Sequence, residues 1–178
     1  MHILALSGSL RAQSLNSLLL QEAVRLAPPG LVFTHWAHLD DLPHFSPERD
    51  TEPLPPAVVD LRARLRSADG LLISTPEYIH SLPAVLKNLL EWLVSSGESF
   101  GKPAAVWSAS PSLEGGARAH ASLVHILEVM SLRVVSEASL CLTLARSGLD
   151  HAGQLQNPAQ VAALRVALDW LAAAGEAT

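Results

Sequence analysis

Short apolar runs alternate along the chain with longer segments of helical periodicity. The apolar runs predict strands over Ile3–Leu6, Leu31–Trp36, Gly70–Ser74, Lys102–Ser108 and Arg133–Leu140. Segments whose apolar residues recur with helical spacing predict helices over Ser17–Ala27, Pro56–Ser67, Pro83–Val94, Ala117–Met130 and Pro158–Ala174. Alternation of this kind produces a parallel sheet covered by helices. The pattern therefore predicts an α/β three-layer sandwich: a five-stranded parallel sheet with helices on both faces.

Two connections between these elements are long. The stretch from His38 to Pro56 contains five prolines, which favours a surface connection with at most a short turn of helix. The segment that leads to Asn157 has no periodicity and is predicted to be irregular. The chain has 178 residues, of which 49% are hydrophobic, and this suits one domain with a sizeable core. We therefore expect a single domain over residues 1–178.

Charge and composition exclude several function classes. The net charge of −5 argues against a nucleic-acid-binding surface. No apolar stretch approaches the roughly 20 residues of a membrane span, and the N-terminus lacks a basic segment followed by an apolar one. Cys141 is the one cysteine and is expected to be packed and inert, and the eight histidines show no metal-ligand spacing. These features predict a cytoplasmic protein without nucleic-acid, membrane or metal partners.

A hydroxyl-rich turn follows the first predicted strand. A helix N-terminus offers unpaired N–H groups and positive potential, and both suit a phosphate. Ser9, Arg11, Ser14 and Asn16 add donors and a cation to this turn. The turn lacks the three glycines of a dinucleotide fingerprint and the lysine of a Walker loop, so a terminal monophosphate suits it best. The alternative is that Ser14 or Asn16 is a helix cap and Arg11 a solvated residue.

Two more distinctive loops follow the third and fourth predicted strands. The first runs from Thr75 to Pro83, and the second runs from Ser108 to Arg118 and contains two adjacent glycines. Ligands of parallel α/β sheets bind at the carboxyl ends of the strands. We therefore expect both loops to converge with the phosphate turn.

These motifs together resemble the NAD(P)H-dependent FMN reductase family. The motifs that carry the resemblance are Gly8-Ser9-Leu10-Arg11 with Ser14 and Asn16, Pro76-Glu77-Tyr78 leading through Ser81 and Pro83 to Leu86-Lys87-Asn88 and Trp92, and Gly115-Gly116-Ala117-Arg118. Leu39-Asp40-Asp41-Leu42-Pro43 and Ala68-Asp69-Gly70 extend it across the connections. The resemblance covers nearly the whole chain in register.

The resemblance implies a flavodoxin-like fold that binds FMN at the edge of a homodimer or homotetramer. Hydride from NADPH or NADH would then reduce a small-molecule electron acceptor such as a flavin, a quinone, an azo dye, a nitroaromatic or a metal oxyanion. By the same resemblance, Ser9, Arg11, Ser14, Leu15 and Asn16 would hold the phosphate side of FMN. Pro76, Glu77, Tyr78 and Ile79 would run beside the ring, and Ser108, Gly115 and Gly116 would close its pyrimidine side. No catalytic residue is expected, because the flavin carries the chemistry.

One loop departs from the family pattern. The family usually has Asn after Pro-Glu-Tyr and often Gly next, whereas this chain has Ile79 and His80. A β-branched residue tolerates left-handed backbone angles poorly. We therefore expect the loop to lose a polar contact or take another path, with weaker FMN binding or a more apolar acceptor pocket. His80 and Arg118 are the candidates for contacts with the substrate.

Two further function classes stay open from the sequence. A flavodoxin-like electron carrier would share the fold and the FMN, and a flavin-free binding module would have lost the activity. The third helix has an apolar face that contains Leu89, Trp92 and Leu93. One interpretation is a self-associating face, because aromatic and aliphatic anchors dominate interfaces, and the alternative is ordinary burial within the domain.

Overall fold

The computed structural model describes residues 1–176 and contains one sheet with helices on its two faces. The strands are β1 (His2–Ser7), β2 (Val32–Trp36), β3 (Gly70–Thr75), β4 (Pro103–Ser110), β5 (Arg133–Val134) and β6 (Leu140–Thr143). The helices are α1 (Leu15–Leu26), α2 (Pro56–Ser67), α3 (Ala84–Glu91), α4 (Ala117–Val129) and α5 (Pro158–Glu176). Two short 3-10 turns, Leu39–Asp41 and Pro47–Arg49, interrupt the proline-rich connection.

All strand pairs are parallel, in the order β2-β1-β3-β4, and both β5 and β6 lie against β4. Leu6 of β1 is in register with Trp36 on one side and Ile73 on the other. The chain therefore builds the sheet outward from β1 in two directions. This is a flavodoxin-like strand order, and its switch point lies at the carboxyl end of β1. The predicted fold class is confirmed.

Side chains of the sheet alternate between two apolar layers. Ile3 and Ala5 of β1 join a buried cluster with α1 and α5, whereas Leu4 and Leu6 join a second cluster with α2, α3 and α4. Each β1 residue therefore meets helices whichever face it points to, as in sheets buried on both sides. Within residues 1–176, no helix combines the length and apolar character needed to span a bilayer.

The predicted fifth strand, Arg133–Leu140, is interrupted. The 3-10 turn Ser136–Ala138 separates β5, which pairs with the start of β4, from β6, which pairs with its end. The hydroxyl of Ser139 accepts a hydrogen bond from the Val106 amide at 3.1 Å and donates to the Val135 carbonyl at 3.0 Å. A side chain thus replaces the strand ladder at this point, so the ladder can stop and resume without leaving a buried amide unpaired.

The interpretation of the third helix as a self-associating face is wrong. Leu89, Trp92 and Leu93 are at most 1% exposed within the single chain. The indole N–H of Trp92 donates to the Pro43 carbonyl at 2.8 Å, and its ring meets Phe45 edge-on with centroids 5.2 Å apart. The proline-rich connection of the same chain therefore covers this face, so the face is not available to a partner subunit.

Candidate active site

The N-terminus of α1 presents free backbone donors. Ser14 is the N-cap, and its hydroxyl accepts a hydrogen bond from the Ser17 amide at 3.4 Å. The first intrahelical bond runs from the Leu18 amide to the Ser14 carbonyl. The amides of Leu15 and Asn16 precede both bonds, so they remain available to a ligand. Because the helix dipole adds positive potential there, this end of α1 suits an anion.

Hydroxyl groups shape the turn between β1 and α1. The Ser7 and Ser17 hydroxyls lie 2.8 Å apart, and the Ser9 hydroxyl accepts a hydrogen bond from the Arg11 amide at 3.3 Å. A hydroxyl that accepts one bond still has its own proton to donate. The turn is therefore braced by the same groups that offer donors to a phosphate.

The Asn16 side chain is used inside the protein. It is 2% exposed, and its Oδ1 atom accepts from the Ser74 hydroxyl at 2.9 Å and from the Ala109 amide at 3.0 Å. Its Nδ2 atom donates to the Ala109 carbonyl at 3.2 Å. Asn16 therefore ties α1 to the ends of β3 and β4, and it offers a ligand its backbone amide rather than its side chain.

A pocket of about 290 Å³ lies where the loops after β1, β3 and β4 meet. It is lined by Ser9, Arg11, Gln13, Ser14, Leu15, Asn16, Pro76, Glu77, Tyr78, Ala109, Ser110, Pro111, Ala145 and Arg146. The structure thus brings together the phosphate turn and the Pro-Glu-Tyr loop. The remaining candidates named from the sequence lie outside this lining.

Arg146 is a lining residue that the sequence did not indicate. It lies in the irregular segment before α5, and its Nη1 atom donates to the Gln13 carbonyl at 3.0 Å. The pocket therefore has two guanidinium groups, those of Arg11 and Arg146. Arg146 belongs to no motif, and 133 residues separate it from Gln13, so the sequence contains no signal for its position.

The loop after β3 ends in a tight left-handed turn at Ile79 and His80. Tyr78 and Ser81 exchange backbone hydrogen bonds of 3.0 and 3.1 Å, and φ is 50° at Ile79 and 57° at His80. Positive φ at both central residues is typical of a type I′ turn, which Asn-Gly favours. The chain therefore takes the left-handed path in spite of the β-branched residue, at a cost of order 1–3 kcal/mol.

Three residues predicted to close the site do not line the pocket: Ser108, Gly115 and Gly116. The Ser108 hydroxyl is buried and donates to the Gly115 carbonyl at 2.9 Å. A Cβ atom on Gly115 would come within 2.9 Å of the Leu142 backbone in β6, and Gly116 is the N-cap of α4 with φ at 87°. The fold therefore favours glycine at both positions: Gly115 allows a close backbone approach, and Gly116 allows the left-handed start of α4.

The predicted substrate contacts lie at the tip of the loop after β3 and in the first turn of α4. His80 is exposed, and its Nδ1 atom lies 3.2 Å from Oε1 of Glu77. The side chain of Arg118 is 57% exposed and lies 3.9 Å from the Glu114 carboxylate. Both side chains are exposed, and neither lines the pocket.

Cys141 does not line this pocket. Cys141 is exposed on β6, so the prediction of a packed cysteine is wrong. The reason is that β6 is an edge strand and one of its faces turns to solvent. Among residues 1–176, no group of three histidine, cysteine or acidic side chains is placed to hold a metal ion.

Comparison with known proteins identifies the family. The chain matches the family described as NADPH-dependent FMN reductase over residues 1–146. This is most of the chain. The protein belongs to the NADPH-dependent FMN reductase family. The match includes the turn before α1, the loops after β3 and β4, and Arg146, and it makes the protein an NAD(P)H-dependent flavin oxidoreductase that uses FMN.

Individual relatives agree with this assignment. The reductase is 37% identical over 155 residues to an NAD(P)H-dependent FMN reductase of Pseudomonas aeruginosa, with 86% of this chain and 83% of the relative covered. It is 31% identical over 140 residues to a quinone reductase of Escherichia coli K12, with 77% and 74% covered. The structure of FerB, a flavoenzyme NAD(P)H:(acceptor) oxidoreductase from Paracoccus denitrificans, superposes with a TM-score of 0.87 at 28% identity over 97% of each chain.

A flavodoxin of Pseudomonas aeruginosa shares the fold. That structure superposes with a TM-score of 0.61 at 19% identity and covers 99% of both chains. Likeness at this level concerns the fold alone. The electron-carrier alternative therefore gains nothing beyond the shared architecture, whereas the enzyme assignment has relatives at higher identity.

The residues of the pocket fit FMN. Free helix amides, hydroxyls and two guanidinium groups line one end, which suits a phosphate that carries about −1.5 to −2 charges at neutral pH. Pro76, Tyr78 and Pro111 contribute flatter, less polar surface at the other loops. The donor set therefore matches a ligand with an anionic end and a planar aromatic end.

The strain at Ile79 generates a stability prediction. The side chain is 98% exposed, so replacing it removes almost no packing, while Asn adopts positive φ more readily. We expect Ile79→Asn to stabilise the apoprotein by about 1 kcal/mol and to raise its Tm by about 2–4 °C. Differential scanning calorimetry measures the shift.

Leu113→Asn is the matched control for this substitution. Leu113 is 95% exposed on the loop after β4 and is not among the positive-φ residues of the described chain. Its replacement should leave Tm within about 1 °C, in line with ordinary surface substitutions. A Tm for Ile79→Asn at or below that of the unsubstituted protein would contradict the strain at this turn.

Proposed function

We propose that the reductase binds FMN with its phosphate at the N-terminus of α1 and its ring along the Pro76–Tyr78 loop, and reduces small quinone-type acceptors. The observation that carries this proposal is the convergence of the helix start, two arginines and the ring loop on one pocket. A phosphate at one end and a flat ring at the other would use all three features.

The phosphate end of the site would be formed by hydrogen-bond donors and positive charge. The Leu15 and Asn16 amides and the Ser9 and Ser14 hydroxyl protons would each donate to a phosphate oxygen. Arg11 would supply charge from the turn, and Arg146 would supply it from the segment before α5. These groups orient the cofactor and fix the position of its ring relative to the sheet.

The loops after β3 and β4 would flank the ring of FMN. Pro76, Glu77 and Tyr78 form one wall of the pocket, and Ile79 continues that loop to its tip. The opposite side of the ring would be closed by the loop after β4, with Ser108, Gly115 and Gly116. A bound FMN would supply the chemistry, which is hydride transfer from NADPH or NADH and two-electron reduction of the acceptor. The protein residues bind the reactants and hold them in stacking geometry, so none of them needs to serve as acid, base or nucleophile.

Exposed apolar side chains on the three loops indicate the class of acceptor. Leu10, Tyr78, Ile79 and Leu113 are all between 44% and 98% exposed. Such a rim favours an apolar planar molecule over a small anion. Relatives include a 2-hydroxy-1,4-benzoquinone reductase of a Burkholderia species, 32% identical over 151 residues. We therefore propose quinones as the preferred acceptors, with His80 and Arg118 as polar contacts at the rim.

Self-association and location follow the family pattern in this proposal. The same rim would be covered if two chains packed their loops together, so we propose a homodimer, or a homotetramer built from such dimers, in the cytoplasm. A partner subunit would then shield the flavin from water. Leu89, Trp92 and Leu93 take no part, because they are buried within one chain.

Anaerobic mixing tests the proposed activity. NADPH or NADH should bleach the yellow colour of the purified holoenzyme, and a benzoquinone should restore it. Across a panel with free FMN, an azo dye, a nitroaromatic and chromate, kcat/KM should be highest for quinones. Ile79→Ser should lower kcat/KM for an apolar quinone by about tenfold and leave chromate unchanged, because it removes apolar contact surface. Bleaching without reoxidation by any quinone would contradict the proposed acceptor class.

Light scattering tests the proposed assembly. The chain has a mass of 18.9 kDa, so a homodimer or homotetramer should give two or four times this mass after size-exclusion chromatography. A monomer at all concentrations of the unsubstituted protein would contradict self-association.

A further inference from the structure

The N-terminus of α4 lacks a cap of its own. Its N-cap is Gly116, and glycine has no side chain to satisfy the first backbone amides of a helix. Side-chain caps typically stabilise a helix by about 1 kcal/mol. The amides of Arg118 and Ala119 therefore need an acceptor from elsewhere in the fold.

Glu77, on the loop after β3, supplies that acceptor. Its Oε2 atom accepts hydrogen bonds from the Arg118 amide at 3.0 Å and from the Ala119 amide at 3.1 Å. Glu77 precedes Arg118 by 41 residues, and its side chain is 14% exposed. One carboxylate therefore joins the loop after β3 to the helix that follows the loop after β4.

The second carboxylate oxygen of Glu77 holds the strained turn. Oε1 lies 3.2 Å from Nδ1 of His80, which has positive φ. Glu77 is thus bonded on one side to α4 and on the other to its own loop tip. The two contacts fix the direction in which Tyr78 enters the turn.

The environment keeps this carboxylate charged. Burial acts to raise the pKa of Glu77, but hydrogen bonds from the Ala119 amide, the His80 ring and the Arg118 amide outweigh burial and lower the pKa below its ordinary value. The group is therefore ionised at neutral pH, and its charge faces the positive end of the α4 dipole. The bond between the loops is charge-assisted, which makes it stronger than a neutral one.

We propose that Glu77 is a positioning residue whose carboxylate sets the spacing of the two loops that flank the flavin ring. This rests on the proposed placement of the ring between those loops. Because α4 starts directly after Gly116, moving its N-terminus moves the loop after β4 with it. Loss of the carboxylate should widen the ring end of the site and leave the phosphate end, which is built on α1, unchanged.

Flavin titrations of the apoprotein, prepared from the holoenzyme, separate the two ends of the site. FMN and riboflavin share the ring, and only FMN carries the phosphate. Glu77→Ala should weaken binding of both by about tenfold, the loss expected when a charged hydrogen-bonding group is removed. The ratio of the two affinities should stay as in the unsubstituted protein. Arg11→Ala should instead weaken FMN alone and reduce that ratio.

Two further variants make the test decisive. Glu114→Gln removes a 63% exposed acid from the loop after β4 and should leave both affinities unchanged. Glu77→Gln keeps the shape and one acceptor oxygen but loses the charge, so it should fall between the unsubstituted protein and Glu77→Ala. The visible circular dichroism of bound flavin should change in the Glu77 variants, because the ring environment changes. If Glu77→Ala does not fold, Glu77→Gln carries the test.

The failures of the two proposals are distinguishable. Unchanged affinity for both flavins in Glu77 variants, with a lowered Tm alone, would make Glu77 a plain helix cap and overturn the positioning role. An unsubstituted protein that binds FMN no better than riboflavin would instead overturn the proposed phosphate placement. A loss confined to FMN in Glu77 variants would also contradict the inference, because it would place Glu77 on the phosphate side.

Discussion

The buried side-chain amide of Asn16 holds together the three loops that form the site. It bonds to the Ser74 hydroxyl and to both backbone groups of Ala109. Each of these groups is buried, and a buried polar group left without a partner costs about 1–3 kcal/mol. The amide therefore fixes the start of α1 against the ends of β3 and β4. The placement of the phosphate turn relative to the ring loops depends on this one side chain.

The two ends of the site are built in different ways. At the phosphate end, the serine hydroxyls and the Asn16 side chain brace the turn before any ligand is bound, so little order has to be gained on binding. At the ring end, the loop after β3 contains a strained turn and is joined to α4 through Glu77. The phosphate end is thus preformed by several side chains, whereas at the ring end one carboxylate joins the two loops.

The sequence predicted most of the architecture, because periodicity and breakers are local signals. The bounds of α2 match its prediction, and Pro28-Pro29-Gly30 ends the first helix within one residue of its predicted end. The interrupted fifth strand was missed because its cause lies in another strand: the Ser139 hydroxyl satisfies an amide of β4. Periodicity within one segment contains no information about such a bond.

Parts of the site lay outside what the sequence could predict. The sequence indicated an interface at Leu89, Trp92 and Leu93, because the apolar pattern of a helix face is the same whether a loop or a partner subunit covers it. Here the proline-rich loop of the same chain covers it. Arg146 lacks a motif and reaches the phosphate turn only through the fold. Glu77 stands in a motif, but its bonds to α4 depend on how two distant loops meet.

The central claim is that the start of α1 and two arginines hold the phosphate of FMN, and ³¹P NMR of the holoenzyme tests it most directly. A free phosphate monoester changes its charge with a pKa near 6. Held by helix amides, Arg11 and Arg146, the phosphate should remain a dianion, because nearby positive charge lowers its pKa. We expect its resonance to stay constant from about pH 8 to about pH 5.5, across the titration of the free monoester. A resonance that shifts with pH as free FMN does would contradict the account.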